Sequence, residues 1–195
     1  MTYQVLVSQR SGLETDIGKG YLQTAQQLGV KQLTSCDVSR LYFVKGDCDQ
    51  AGVERLASEL LADPVTESFE VTSLDSLKHN QSSDRTSIEV TLLAGVTDPA
   101  AENLMRSADM IGVSLEQAAT GERFTVGSNG ELTDEQLQIL TDKVFSNPVV
   151  QQSAVNQPII PPFFDPAGAN DLVETVSLIE ANDDELVTIS QERRL

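Results

Sequence analysis

No tryptophan, one histidine and two cysteines are all that this 195-residue chain has of the side chains that most often run chemistry or hold metal. A general base needs a second positioned group and a sheltered pocket, and His79 stands between Lys78 and Asn80 in a polar stretch, where it reads as a solvent-exposed connector residue. Cys36 and Cys48, with that single histidine, match no zinc spacing. Basic residues are scarce too: thirteen Lys and Arg against thirty Asp and Glu give a formal net charge of -17. A surface so acidic repels phosphate backbones and anionic headgroups, so neither nucleic acid nor membrane is expected as a partner, and no basic patch is visible along the sequence. Long apolar runs are missing, and residues 1–10 have no basic segment leading into one, so no membrane span or secretion signal is expected. Neither of the glycine-rich phosphate-loop patterns occurs; Gly127-Ser128-Asn129-Gly130 reads as a hairpin or loop turn and Asp183-Asp184-Glu185 as a solvated helix start. No catalytic or metal-binding constellation is expected in this chain.

What the chain does have is an internal repeat. Val5 and Val7 map onto Ile88 and Val90 at an offset of 83, which also carries Gly12-Leu13 onto Gly95-Val96. The stripe Leu22, Ala25, Leu28 maps onto Met105, Ala108, Ile111, the pair Gly29-Val30 onto Gly112-Val113, and Arg40 onto Arg123. After one inserted residue, Val53, Leu56 and Leu60 correspond to Leu137, Leu140 and Val144, and Asp63-Pro64-Val65 to Asn147-Pro148-Val149. Core positions, turn glycines and a helix-ending proline recur in order, the mark of two copies of one small unit. The cysteines have no counterparts in the second copy; a structural disulfide would have been duplicated with the unit, so reduced thiols in a cytoplasmic protein are expected.

Each unit reads as β-α-β-β-α-β. Val5 and Val7 alternate with polar neighbours as in a strand with one buried face. Ile17, Tyr21, Ala25 and Leu28 share a helical face that Gly29 ends. Gln32 to Val44 reads as strand, bend, strand, followed by a turn at Lys45-Gly46-Asp47. Val53, Leu56, Ala57, Leu60 and Leu61 form an amphipathic helix stopped before Pro64, and Val65 to Leu74 returns as a strand. In the second copy Asp98-Pro99 supplies a cap and a first-turn proline, and Thr133 with Gln136 a capping box. The expected class is α+β: two tandem modules forming a pseudo-dimer about a pseudo-two-fold axis, helices on one face of antiparallel sheets. The boundaries are 1–75 for module 1, 76–85 for a connector, 86–155 for module 2, 156–170 for a proline-rich linker and 171–195 for a further segment.

That linker holds four of the seven prolines beside Ile159, Ile160, Phe163 and Phe164. Proline keeps the backbone extended, and four bulky apolar side chains are too many for a plain flexible tether. They are expected either to fold back on a module or to dock on something downstream. Leu172 to Ile179 reads as a strand and Asn182 with Glu185 as the start of a helix through Leu186 and Ile189, a pattern that looks like the front of something longer.

The strand Ser87–Leu92, then Gly95-Val96-Thr97-Asp98-Pro99, Ile111-Gly112-Val113 and Phe145-Ser146-Asn147-Pro148-Val149 give the second copy a resemblance to the PurS family. That family is the small subunit of formylglycinamidine ribonucleotide (FGAM) synthase, a glutamine- and ATP-dependent amidotransferase of purine biosynthesis. The first copy resembles it with Leu13-Glu14-Thr15-Asp16 in place of the Asp-Pro pair, and Leu172 to Leu195 is similar to the opening of the synthetase subunit. The resemblance implies the N-terminal part of a ligase fused as PurS and PurL, with a non-catalytic assembly role in this chain. Its implied partners are a synthetase domain of the same polypeptide and a glutaminase domain or subunit, with ammonia passing between them. No cofactor is implied for this chain, whereas ATP and Mg are implied for the full enzyme. The family's Arg-x-Gly-Lys stretch is replaced here by Ser39-Arg40-Leu41 and by Thr120-Gly121-Glu122-Arg123. Arg40 and Arg123 are either strand residues with snorkelling heads or interface anchors facing a partner's carboxylates. With Ile159, Ile160, Phe163 and Phe164 they make the candidate interface. A rival reading is a tandem α+β sensor holding a small molecule between its modules.

Overall fold

Six strands form one antiparallel sheet in the computed structural model, which describes residues 1–10, 16–76, 85–163, 182 and 186–188. They are β1 Thr2–Gln9, β2 Leu33–Lys45, β3 Glu67–Ser73, β4 Arg85–Leu92, β5 Gln117–Ser128 and β6 Gln151–Val155, ordered β3-β1-β2-β5-β4-β6. Exchanging β1 with β4, β2 with β5 and β3 with β6 leaves that order unchanged when it is read from the other edge. Four helices pack on one face: α1 Ile17–Gln27, α2 Gln50–Leu56, α3 Pro99–Met110 and α4 Asp134–Ile139. The chain divides into two units, Met1–Phe164 and Asp165–Leu195. In the second, the expected helix is seen at 186–188, where the Leu186 N–H donates to the Asn182 carbonyl. The expected strand Leu172–Ile179, most of the connector, the Gly12 turn and Phe164 lie outside the described residues.

Local signals account for the helix ends. Gly29 and Gly112 take φ of 104° and 75°, open to glycine and strained for other residues. Each sits two residues past its helix; Val30 N–H then reaches the Ala25 carbonyl and Val113 N–H that of Ala108, while the glycine N–H groups bond Gln26 and Asp109. Both ends are Schellman motifs, with a buried valine as the apolar plug. The Asp98 carboxylate accepts from Ala101 N–H ahead of Pro99, and Thr133 with Gln136 forms the reciprocal capping box. α2 and α4 each widen into a π turn, Ala57–Leu61 and Leu140–Phe145, before the chain leaves for the next strand. That widening turns Leu60 outward, 38% exposed, although spacing assigns it to the apolar stripe. On α1, too, the buried side is centred on Ala25 and Tyr21, and Ile17 and Leu28 are exposed.

Residues 32–44 depart from the strand-bend-strand expectation. β2 is one continuous strand with a bulge between Leu33 and Ser35. Its C-terminal half pairs with β1 on one side and β5 on the other, while residues before Arg40 have β5 alone as a ladder partner. The two halves therefore merge edge to edge through β2 and β5.

The ladder also corrects the repeat alignment. Val5 faces Tyr42 and Ile88 faces Phe124, so with Val5 and Ile88 separated by 83, β2 corresponds to β5 at an offset of 82. Arg40 is thus the counterpart of Glu122, its direct partner across the β2–β5 ladder, and not of Arg123. One residue of slip reverses the side-chain direction in a strand, so Arg40 lies on the helical face and Arg123 on the opposite, flat face.

Helices cross between the halves. Tyr3, Val5, Val7 and Val44 are covered by α2 and by Leu104, Ala108 and Val113 from the second half. Ile88, Val90, Phe124 and Val126 are covered by α4 and by Ala25 and Val30 from the first. Tyr21 of α1 meets Phe124 edge-on at 4.9 Å, and Phe124 stacks on Phe145 at 4.2 Å. Neither half closes its own core.

A third cluster lies on the flat face. Leu41, Phe43 and Ala119 are buried beneath Ile159, with Leu6, Leu74 and Phe163 packed around them. The segment after β6 therefore folds back as a strap, with Ile159 5% exposed and Ile160 80% exposed. Ile159→Ala is expected to lower unfolding free energy by about 2–5 kcal/mol, the usual cost of emptying such a site. Ile160→Ala should stay within about 0.5 kcal/mol of the parent. Urea titrations of the two variants decide it; equal effects would mean that the strap does not pack as described.

Candidate interface on the flat face of the sheet

Glu89 and Arg123 face each other across the β4–β5 ladder on the flat face. Alternation along β4 assigns Glu89 to solvent, yet it is 3% exposed, because the strap runs over it. Its Oε1 accepts from Arg123 Nε at 2.8 Å and Nη2 at 2.5 Å, and its Oε2 accepts the Ile159 backbone N–H at 2.8 Å. A buried carboxylate is tolerable only when its lone pairs are used, and here a guanidinium and a peptide N–H use them. Arg123 Nη2 also donates to Gln4 Oε1 at 3.2 Å, while Gln4 Nε2 is buried with no partner among the described residues. The strap is thereby tied to β4 by a charge-assisted hydrogen bond at the residue whose side chain it buries.

At the matching positions of the first half stand Leu6 and Leu41. Offsets of 83 for β1 to β4 and 82 for β2 to β5 put Leu6 with Glu89 and Leu41 with Arg123. One half of the flat face is apolar where the other carries an ion pair. This asymmetry gives a face with two equivalent landing places one acceptor for a strap N–H.

Arg40 sits elsewhere. On the helical face it donates Nη2 to the Leu61 carbonyl at 3.0 Å and to Glu67 Oε2 at 2.6 Å, and Nη1 to the Tyr42 hydroxyl at 3.2 Å. It ties the end of the π turn to β3, a surface ion pair worth under about 1 kcal/mol. Beside it Glu122 forms no hydrogen bond among the described residues, and burial pushes its carboxyl up. The two arginines thus do not form one patch. Ile159 and Phe163 are spent on the flat-face core, Ile160 projects outward, and Arg123 belongs with Ile159 through Glu89. The missed member is Glu89; only the sheet order and the returning strap show that it is covered.

Chemistry is sparse throughout. No group of three or more His, Cys, Asp or Glu among the described residues could hold a metal ion. Cys36 and Cys48 are free, and burial pushes the Cys36 thiol up to about 12, so at neutral pH it is protonated and a poor nucleophile. Among the described residues, no helix is long and apolar enough to cross a membrane.

Residues 85–157, from the start of β4 through β6 into the strap, match the model of the PurS family, described as phosphoribosylformylglycinamidine (FGAM) synthase. This region of the chain is PurS-like. No curated protein matches the chain.

Proposed function

We propose that the chain is a non-catalytic assembly region of FGAM synthase, carrying two PurS-like copies as a covalent pseudo-dimer that bridges a synthetase and a glutaminase and aids ammonia transfer between them. The observation that carries this reading is the match over residues 85–157, with its link to purine biosynthesis. The strand order supports it: a sheet that reads the same from either edge is what two copies of one small subunit would make about a two-fold axis, β2 against β5. The helices crossing between halves support a fused pair too, since each half borrows apolar cover from the other. On this reading the segment after Phe164 continues into the synthetase, whose ATP and Mg do the bond-making chemistry.

Co-purification tests it. A tagged chain is expected to retain a synthetase subunit and a glutaminase of the pathway together, and on its own neither to hydrolyse ATP nor to release ammonia from glutamine. Failure to retain either protein, or an activity of the purified chain that one side-chain substitution abolishes, would overturn the assembly role.

A further inference from the structure

β1 ends at Gln9, but β2 runs on along β5 to Leu33, so the N-terminal flank of β2 has no strand beside it. There a groove of about 760 Å³ opens between β2, the first turn of α1 and the end of β1. The α1 wall stands close because residue 18 is glycine: a Cβ there would lie 1.8 Å from the Cys36 carbonyl oxygen. Four of the chain's thirteen bases line this groove, Arg10, Lys19, Arg85 and Arg123, and the single carboxylate among its described lining residues is Asp37. Ser8, Thr34, Ser35, Ser39 and Thr125 line it as well. The bases come from four separated segments, and for that reason no basic patch shows along the sequence.

The equivalent flank of β5 is a built-in control. Its groove, about 390 Å³, is lined by Asp98, Glu102 and Glu116 and, among the described residues, by no base. Where the first groove has Arg10 and Lys19, the second has Leu93 and Glu102 at an offset of 83. The basic lining is therefore not imposed by the fold.

We propose that the groove beside β2 binds a phosphorylated small molecule through Arg10, Lys19, Arg85 and Arg123. Planar guanidinium forks match phosphate oxygens, and hydroxyls add neutral donors. Arg10 is oriented by Nε and Nη2 donating to the Glu67 and Pro64 carbonyls, and Arg123 by Glu89, which leaves one terminal nitrogen of each without a partner among the described residues. Arg85 meets Asp37 in an exposed pair that an anion displaces at little cost, and Lys19 pairs with Asp16 at the mouth of the groove. The volume suits a nucleotide-sized ligand, and the acidity of the remaining surface is screened beyond about 8 Å at physiological salt.

This inference does not depend on the assembly reading. Calorimetry on the whole chain with AMP, inorganic phosphate and adenosine tests it. AMP and phosphate are expected to bind, AMP more tightly, and adenosine not to bind. Arg85→Ser and Lys19→Ser, both exposed sites, should each weaken AMP at least tenfold without moving the melting temperature. Arg106→Ser, outside the groove, should leave AMP binding unchanged. No heat from AMP or phosphate at millimolar concentration, equal binding of adenosine, or equal weakening by Arg106→Ser would overturn the proposal.

Discussion

Arg123→Leu alone is expected to cost the chain about 3–5 kcal/mol, because it strands the Glu89 carboxylate, 3% exposed, without its counter-ion. Glu89→Leu combined with Arg123→Leu should cost much less. Leucine already occupies both matching positions, Leu6 and Leu41, on the same face of the first half. What the double variant still loses is the acceptor for Ile159 N–H, a penalty of about 1–3 kcal/mol. Urea unfolding of the parent, both single variants and the double variant closes the cycle. A double variant as unstable as Arg123→Leu would show that the pair does more than neutralise itself, and the comparison with Leu6 and Leu41 would be withdrawn.

Residues 85–163 expressed alone should not fold as a monomer. The fragment keeps β4, β5, β6, α3 and α4 but lacks Tyr21, Ala25, Val30, Leu33 and Cys36, which cover Phe124, Val126 and Phe145. It also lacks β1 and β2, on which Leu104, Ala108 and Val113 pack. Each buried aliphatic side chain left exposed forfeits about 1.5–3 kcal/mol, and several such losses exceed the whole stability of a domain this small. Sedimentation with circular dichroism is expected to show either a dimer, its two copies of β5 pairing as β2 and β5 do, or an unfolded chain. A compact, cooperatively melting monomer would contradict the crossed-helix core.

Features fixed by neighbouring residues were legible in the sequence. Gly29 and Gly112, Asp98-Pro99 and Thr133 with Gln136 end or start helices through bonds that reach at most five residues. The α+β class and the helical face followed from such signals. Features set by pairing across long separations were not legible. Nothing local to Leu33–Lys45 says that its first half pairs only with β5, so the strand appeared broken. The alignment of Arg40 with Arg123 failed by one residue, which matters little in a helix but changes the face in a strand. Glu89 looked exposed because its cover arrives from about seventy positions later, in the strap. Of the candidate interface, Ile159 and Phe163 proved part of the local core, and only Ile160 among the described apolar members still points outward.

The crossed helices also set a clock on synthesis. Val5, Val7 and Val44 emerge from the ribosome with the first half, but Leu104, Ala108 and Val113, which complete their cover, follow much later. At about 5–20 residues per second, the roughly seventy residues from Lys45 to Val113 take about 3–14 s to appear. For that interval the outer edge of β2 is unpaired, and the apolar face of Val5, Val7 and Val44 has only α2 from the first half to shield it. A dimer of separate subunits would hide the same surfaces after chance encounter; here the delay is fixed by the length of chain between them.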